Sequence, residues 1–464
     1  MNNSRRQFLM SVGMLAAYSA FPISTFNFGT SKKLRIALVG TGIRGTSFWG
    51  KRLADEYSDI LEFVGLSDIN RGRLDYAKKY IGGNCSTFTD FDDMLKNTNP
   101  DLIIVTTTDA THHTFIIKGL QFGCDVLTEK PLTTDETKAQ AILNAERKSG
   151  KNLIVGFNYR WSPYNTKIKE LLENNTIGNI TSVDFHWYLN TYHGASYFRR
   201  WHGLKDVGGT LWVHKATHHF DLLNWWLNSD PEKVFALGSL DHYGFNSDFR
   251  GNYCRTCKHK ANCAYYFDIT KDKRLVDLYV THEKHDGYIR DNCLFRKEID
   301  IYDKMSAQIK YVNNVTVNYS LTTYSPFEGW RIAINGTEGR IEASLDIPYN
   351  KNTHINQAEM HAMEMEQDVL EKANSEAIIV HKLWSDFDTI QVPYEKAGHG
   401  GGDKRLHDKI FKTPTVADPY KRAAGSRDGV MSAIIGIAAR KSIESGNPIN
   451  INELTDIKPT KNRL

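Results

Sequence analysis

"KKLRIALVGTGIRGTSFWGKRLAD", residues 32–55, carries the clearest structural signal in the chain. A compact apolar run leads directly into glycines at 40, 42 and 45, and a helical pattern follows. This G-x-G-x-x-G spacing permits a tight turn and lets backbone amides approach a diphosphate at a helix N-terminus. We therefore predict a dinucleotide-binding βα unit in which Gly40, Gly42, Ile43, Arg44 and Gly45 contact the cofactor.

The next strand, LEFVGLSD (61–68), ends in an acid. An acidic side chain at Asp68 suits a free ribose 2′-hydroxyl and repels a 2′-phosphate, so the predicted cofactor is NAD rather than NADP. Further apolar strands alternate with helical patterns, at 101–107, 124–131 and from 151. This alternation predicts a doubly wound parallel sheet, an NAD-binding Rossmann domain over residues 32–155.

A second domain is expected because 464 residues exceed what one hydrophobic core usually organises. Its strands alternate with period two, at 180–192, 307–325 and 330–344, and a helix over 426–446 ends at a glycine. The predicted fold class is therefore an α/β Rossmann domain plus an α+β domain with an open, largely antiparallel sheet. We assign 156–464 to this substrate and oligomerisation domain, with a Cys-rich insertion at about 240–296.

Residues 1–31 are predicted to be a twin-arginine export signal and linker. Arg5 and Arg6 precede a short apolar run, and small residues near Ala20 suit cleavage. A fortuitous basic and apolar start is the alternative. The run is short for a membrane span, so we expect no stable span after signal removal and a periplasmic location. A net charge of +4 without a basic aromatic run argues against a nucleic-acid partner.

Three longer stretches resemble the Gfo/Idh/MocA oxidoreductase family: 106–135, GFNYRWSP (156–163) and GGTLWVHKATHHFDLLNWW (208–226). The first contains Glu129-Lys130-Pro131, whose lysine in that family touches both the substrate hydroxyl and the nicotinamide. The resemblance therefore implies that Lys130 is catalytic. It also implies a cofactor-binding set of Asp109, His112, Glu129, Lys130 and Arg160.

A lysine suits this chemistry because hydride leaves a carbinol carbon only as the hydroxyl proton leaves or is shared. A cation beside that oxygen stabilises the alkoxide-like transition state. Tyr188, on the predicted strand FHWYL, is a candidate second base.

His214, His218 and Asp221 fall at i, i+4 and i+7 and would share one helix face. Acid/base groups beside nicotinamide, a metal-binding face and structural polar residues all remain open. In the resembled family His218 matches the catalytic histidine and Asp221 the last acid of its pattern. His214 replaces the family's first aspartate, which is also a histidine in the NAD-dependent glycosidase branch, glycoside hydrolase family 109. That branch lacks an equivalent of His218.

The substrate-binding candidates combine cations, aromatic rings and hydrogen-bonding groups that suit a sugar. SYFRRWHG (196–203) matches a substrate-contact region of the family, and GHGGGD (398–403) resembles a motif of the glycosidase branch. The predicted set is Arg199, Trp201, Lys215, Asp221 and His399.

Four cysteines fall in the polar insertion. Cys254, Cys257 and Cys263 read C-x2-C-x5-C, and Cys293 follows. Four thiolates could hold a structural zinc ion or an iron–sulfur cluster, and disulfides are the alternative in an oxidising compartment.

Export outside the cytoplasm would separate the enzyme from a free NAD pool. A tightly held NAD that is reduced and reoxidised within one cycle avoids that problem. We therefore expect a redox-neutral enzyme on a sugar or glycoside: oxidation at C3, β-elimination, water addition and hydride return. The alternatives are a sugar or polyol dehydrogenase, a sugar–sugar oxidoreductase, and a non-catalytic NAD-bound sugar-binding protein. The family's open sheet implies a homo-oligomer.

Overall fold

The computed structural model describes residues 32–347, 375–393, 395 and 398–463. The predicted export signal lies outside the described residues. No helix among those residues is long and apolar enough to cross a membrane.

The first domain is built on a six-stranded parallel sheet in the order β3-β2-β1-β4-β5-β6. Its strands are β1 (Leu34–Val39), β2 (Leu61–Ser67), β3 (Ser86–Phe88), β4 (Leu102–Val105), β5 (Asp125–Thr128) and β6 (Leu153–Val155). Alternate strand residues enter two separate hydrophobic clusters: Ile36 and Leu38 face one, Ala37 and Val39 the other. Burial on both faces explains the near-continuous apolar runs and confirms the predicted Rossmann sheet.

Three helices of this domain begin at side chains that cap their first turns. Asn70, Asp90 and Asp135 each accept a hydrogen bond from the backbone N–H three residues later. After the glycine loop a π-helical segment, Arg44–Lys51, leads into the first α-helix. The helices are α1 (Arg52–Glu56), α2 (Arg71–Ile81), α3 (Phe91–Thr98), α4 (His112–Phe122) and α5 (Glu136–Ser149).

The second domain is built on a nine-stranded sheet in the order β14-β13-β12-β11-β7-β10-β9-β8-β15. Its strands are β7 (Ile180–Asn190), β8 (Pro231–Ser239), β9 (Lys304–Tyr311), β10 (Thr316–Ser325), β11 (Glu328–Gly336), β12 (Gly339–Ile347), β13 (Ser375–Lys382), β14 (Phe387–Pro393) and β15 (Ile449–Asn450). Among the described strands of this sheet, only the central β7 and β10 run parallel to each other. The predicted open, largely antiparallel sheet is confirmed.

The remaining helices pack around this sheet and join it to the first domain. They are α6 (Pro163–Glu173), α7 (His193–Arg199), α8 (Lys205–Gly208), α9 (Leu211–His214), α10 (Ala216–Leu227), α11 (Lys273–Leu278), α12 (Gly402–His407) and α13 (Ser426–Ser445). Helix α13 contacts β6, β8 and α10, and it ends at Gly446 with φ +72°, as predicted. One hydrophobic cluster therefore continues from the Rossmann sheet into the second domain and fixes the cleft between them.

Candidate active site

One large cleft lies between the two domains, with a volume of about 2090 Å³. It begins at the carboxyl ends of β1, β4 and β5, where α/β sheets commonly bind ligands. A pocket for one drug-sized ligand usually has about 300–1,000 Å³, so this cleft has room for a dinucleotide and a second, smaller ligand together.

The glycine loop at one end of the cleft requires two of its three glycines. Gly40 has φ +94°, and a Cβ there would lie 2.6 Å from the Thr106 carbonyl carbon. A Cβ on Gly45 would lie 2.1 Å from the Gly40 oxygen, so Gly45 is the packing glycine under the turn. A Cβ on Gly42 would meet only the Tyr279 hydroxyl, at 3.5 Å. The loop therefore has the close packing and open approach that fit a cofactor diphosphate.

Asp68 follows the end of β2 and is held in place on both carboxylate oxygens. Oδ2 accepts from the Thr41 backbone N–H at 2.8 Å, and Oδ1 accepts from Arg73 at 2.9 Å. Arg73 also pairs with Asp286 at 2.6 Å, so its single positive charge is shared between two carboxylates. Because that guanidinium is already committed, the pattern fits a ribose with a free 2′-hydroxyl, as in NAD.

Glu129 connects the glycine loop to Lys130. Its Oε1 accepts from Arg44 Nε at 2.6 Å and from Trp49 Nε1 at 2.8 Å, while its Oε2 accepts from the Lys130 backbone N–H. Burial would raise the pKa of the Glu129 carboxyl, but Arg44 and Lys130 hold it below the usual value. Glu129 is thus an ionised buried anchor that orients the lysine.

Lys130 projects from the loop after β5 towards the second domain. Its Nζ donates to the His214 backbone oxygen at 3.1 Å. Burial lowers the pKa of Lys130 to about 8, although Asp109 opposes the shift. The ammonium therefore titrates near neutral pH, where a group that shares a proton with substrate is most effective.

Asp109 and His214 form a buried pair across the domain boundary. His214 Nδ1 lies 2.6 Å from Asp109 Oδ2. Burial, reinforced by nearby Lys130, lowers the pKa of His214 well below its usual value. Burial also raises the pKa of Asp109 well above its usual value, and the charge of Lys130 opposes that shift. When Asp109 is ionised, the neutral imidazole keeps its proton on Nδ1 and carries the lone pair on Nε2. This arrangement suits a general base.

His218 lines the same cleft and stacks on Tyr159, with ring centroids 4.2 Å apart. Its Nδ1 is buried without a hydrogen-bond partner among the described residues, which leaves Nε2 to face the cleft. Burial, and then Lys130, lower the pKa of His218 well below its usual value. Lys215 donates to the Tyr159 hydroxyl at 3.2 Å and lies 5.1 Å from the Trp187 ring centre.

His399 returns to the same cleft from the distant glycine-rich segment. Its Nδ1 lies 3.0 Å from Asp403, which also accepts from Asn158 at 2.6 Å. A Cβ on Gly402 would lie 2.5 Å from the Asn158 oxygen, so the close approach needs that glycine. The His399 ring centre is 5.6 Å from that of Tyr159. A second histidine–aspartate pair thus lines the cleft beside Tyr159.

Arg160 and Asp221 do not reach the cleft, which corrects their predicted cofactor and substrate roles. Arg160 donates to both oxygens of Asp221, at 2.7 and 2.5 Å, and to Asp428 at 2.9 Å. Both partners are buried, with side chains 2% and 1% exposed. A buried guanidinium needs carboxylate partners, and this pair satisfies that need behind the histidines.

The single helix face predicted for His214, His218 and Asp221 is also wrong. The helix is interrupted at Lys215, so His214 ends α9 while His218 belongs to α10. No group of three or more His, Cys, Asp or Glu in the described part of the chain could hold a metal ion.

Tyr188 lies on the opposite face of β7 from the cleft-lining Trp187. Successive residues of a strand point to opposite faces, and Tyr188 packs on Phe327 with ring centroids 5.0 Å apart. The structure therefore does not bring this candidate base to the site.

Three other predicted residues border the cleft in supporting positions. His112 places its ring nitrogens 2.8 Å from the Pro131 oxygen and 3.2 Å from the Thr107 oxygen, which ties two cofactor-side loops together. Arg199 donates to the Tyr265 oxygen and anchors the insertion. Trp201 stacks on His202 at 3.5 Å, and His202 lies 4.1 Å from His214 between ring centres.

The cysteine insertion brings Cys254, Cys257, Cys263 and Cys293 around one small cavity. All six cysteines of the chain are free thiols. Their arrangement does not have metal-binding geometry in the described residues.

Sequence reasoning missed Tyr159 and Tyr279, which both line the cleft. Tyr159 lies in the GFNYRWSP stretch, directly before Arg160. No sequence motif marks Tyr279, because its place in the cleft depends on how the insertion folds back onto the glycine loop.

The glycine loop, Asp68 and the lysine at the domain boundary define an NAD-binding oxidoreductase. Two models of the Gfo/Idh/MocA oxidoreductase family match: the NAD-binding Rossmann fold over residues 34–157 and the C-terminal alpha/beta domain over residues 169–451. The chain belongs to this family.

Among its relatives, YteT of Bacillus subtilis, which is named as an oxidoreductase, is 37% identical over 90% of this chain and 98% of that protein. Inositol 2-dehydrogenase of Salmonella typhimurium is 25% identical over 43% of this chain and 56% of that enzyme. The fold is also similar to two solved structures, each with a TM-score of 0.61. Levoglucosan dehydrogenase, in complex with NADH and levoglucosan, is 16% identical over 90% of this chain and 100% of that one. The WlbA dehydrogenase of Chromobacterium violaceum, in complex with NADH and UDP-GlcNAcA, is 18% identical over 93% of this chain and 99% of that one.

Proposed function

We propose that this oxidoreductase acts on a sugar or glycoside in a redox-neutral cycle that cleaves a glycosidic bond. The observation that carries the proposal is the number of proton-transfer groups around one cleft. Simple alcohol oxidation needs one acid/base group. Here Lys130, the Asp109–His214 pair, His218 and the His399–Asp403 pair all face the same space.

Bound NAD would supply a hydride acceptor that later returns the hydride, so that a ring carbon, C3, is oxidised and then restored. As the hydride leaves, one of the neutral imidazoles, His214 or His218, accepts the hydroxyl proton through Nε2, while the ammonium of Lys130 donates to the same oxygen and stabilises its negative charge. A ketone at C3 acidifies the proton on C2, and His218 or His214 removes it through Nε2. The C1–O bond then breaks as the C1–C2 double bond forms, and the aglycone takes a proton from an imidazolium. Water adds its oxygen to C1 and a proton returns to C2, before the hydride and a proton return to the C3 carbonyl.

The runner-up is a sugar or polyol dehydrogenase, or a sugar–sugar oxidoreductase, which would use the same lysine and one histidine. The names of the inositol and levoglucosan enzymes favour it. A non-catalytic NAD-bound sugar-binding protein is the third candidate, and an intact lysine with neutral histidines beside it argues against it.

The proposal is tested by replacing the lysine and following glycoside cleavage. Lys130→Ala removes the ammonium that stabilises the developing alkoxide, so kcat should fall about 10²–10³-fold. Lys118→Ala is the matched control, because Lys118 is half-exposed and pairs with Asp92 on the surface. Cleavage by folded, NAD-loaded Lys130→Ala at the control's rate would reject this site.

Three further features of the protein belong to the same proposal. We propose export by the twin-arginine route to the periplasm, supported by the paired arginines of the N-terminal sequence, and a homo-oligomeric state, supported by the long open sheet. Periplasmic fractionation and light scattering test these two points.

We also propose a structural metal, zinc or an iron–sulfur cluster, at the four cysteines that share one cavity. The sulfurs would have to draw together from their positions in the structure to bind it. Elemental analysis of the purified protein should give about one zinc ion, or the iron of one cluster, for each chain. Metal-free protein with reduced thiols and full stability would contradict it.

A further inference from the structure

The Cys-rich insertion reaches the nucleotide half of the cleft. The Tyr279 hydroxyl accepts a hydrogen bond from the Ile43 backbone N–H at 2.8 Å, inside the glycine loop. The His282 backbone oxygen accepts from Asn70 Nδ2 at 2.9 Å, close to the acid that suits the ribose. The insertion therefore contacts both the diphosphate and the ribose sides of the predicted cofactor position.

Side-chain packing holds the insertion in this place. A Cβ on Gly72 would lie 2.0 Å from His282 Nδ1, so the imidazole sits directly against the first turn of α2. Asp286 pairs with Arg73 at 2.6 Å, and Arg73 in turn pairs with Asp68. The ribose-side carboxylate and the insertion thus share one guanidinium, which links nucleotide position to insertion position.

Arg290 adds an uncompensated positive charge to the same region. Its guanidinium lies 4.5 Å from the Tyr279 ring centre, and it lines the cleft. Its side-chain hydrogen bond goes to the Tyr288 hydroxyl, and no carboxylate within the described ranges pairs with it. A cation in such a position is stabilised by an anionic ligand, and a diphosphate carries that charge.

We propose that Tyr279 and Arg290 are cofactor-binding residues and that the insertion is a clamp that prevents NAD from exchanging with solvent. A phenol can accept and donate at once, so Tyr279 can keep its bond from Ile43 and donate its proton to a phosphate oxygen. Arg290 supplies charge-assisted hydrogen bonds to the same group. This inference deepens the proposed function, because a closed hydride cycle requires that the cofactor stays bound.

The cysteine cluster fixes both ends of the segment that carries these residues. The Cys254 N–H donates to the Asp291 oxygen at 2.8 Å, and the Cys293 N–H donates to the Asn252 oxygen at 2.9 Å. Tyr279 and Arg290 lie between these two attachment points. Fixing the ends of a segment lowers the entropy lost when it binds a ligand, so the clamp is preorganised.

The test measures how fast bound NAD exchanges with isotopically labelled NAD in the full-length protein. Wild type should retain about one NAD for each chain through gel filtration, since charge-assisted contacts are strong. Arg290→Gln and Tyr279→Phe should exchange about 10- to 100-fold faster, because each removes one contact to the diphosphate. Arg250→Gln is the matched control, since Arg250 lies in the same insertion and donates to the Ser247 oxygen instead of lining the cleft.

Wild-type exchange rates in both folded variants would overturn the proposal, and so would rapid exchange in the wild type. Circular dichroism and the melting temperature establish that the variants are folded. Failure of the clamp is separate from failure of the proposed function. If NAD is retained but no glycoside is cleaved, the clamp is supported and the proposed function is rejected. If cleavage occurs only with added NAD, the clamp is rejected and the action on a glycoside is supported.

Discussion

Replacing Asp109 by asparagine should disable His214 while it leaves the shape of the site unchanged. In the native pair the carboxylate 2.6 Å from Nδ1 keeps the imidazole proton there and frees Nε2 as a base. An asparagine can present its NH2 group to Nδ1, which moves the ring proton to Nε2 and blocks proton removal. General acid/base catalysis contributes about 10²–10⁴-fold, so kcat should fall by that factor, or about 2.7–5.4 kcal/mol of barrier.

The assay follows sugar release at saturating substrate, with bound NAD quantified in the same samples. Asp92→Asn is the control, because it makes the same chemical change at a half-exposed surface ion pair with Lys118. A fall in kcat with unchanged NAD content supports the role of the pair. A folded, NAD-loaded Asp109→Asn enzyme within about threefold of the control would refute it, since a threefold change is well under 1.4 kcal/mol.

Three further outcomes are expected. Because Lys130 acts as an ammonium and burial lowers its pKa to about 8, kcat/KM should fall above about pH 8, and a pH–rate profile with a rising alkaline limb would contradict this. Arg160→Met leaves the buried carboxylate of Asp221 without its partner and should lower the free energy of unfolding by about 3–5 kcal/mol in urea. The pKa of Asp221 is about 6 even with its arginine present, so at pH 5 the carboxyl is largely neutral and the loss of stability should be smaller. Equal losses at pH 5 and pH 8 would be inconsistent with an ionic cause. Tyr188→Phe should leave kcat unchanged, because Tyr188 packs on Phe327 away from the cleft. A tenfold fall in kcat would show that Tyr188 takes part in catalysis.

The fold was predictable where local pattern and long-range structure agree. The glycine spacing at 40–45 depends on close backbone packing, and the structure shows that packing at Gly40 and Gly45. Period-two alternation predicted three segments of the second sheet correctly. It could not show that β7 and β10 run parallel, because strand direction depends on the connection and not on alternation.

The site was predictable in its motif residues and less so in its partners. Lys130, His214 and His218 reach one cleft, as expected from the resemblance. A helical-face argument failed for Asp221, because the helix breaks at Lys215 and a buried arginine competes for the carboxylate.

Contacts between distant segments left no local signal in the sequence. His399 lies 185 positions after His214, and only the glycine-rich motif suggested that it returns to the cleft. The contact of Tyr279 with Ile43 spans 236 positions and carries no motif at all. Such contacts depend on tertiary packing, which composition and periodicity do not encode.

The most direct test of the central claim uses purified protein with no added NAD and a panel of glycosides. Released sugar and absorbance at 340 nm are recorded together. A redox-neutral cycle predicts many turnovers for each chain without accumulation of NADH. At most one equivalent of NADH, with further turnover only when NAD or a second sugar is added, would contradict it and identify a dehydrogenase or a sugar–sugar oxidoreductase.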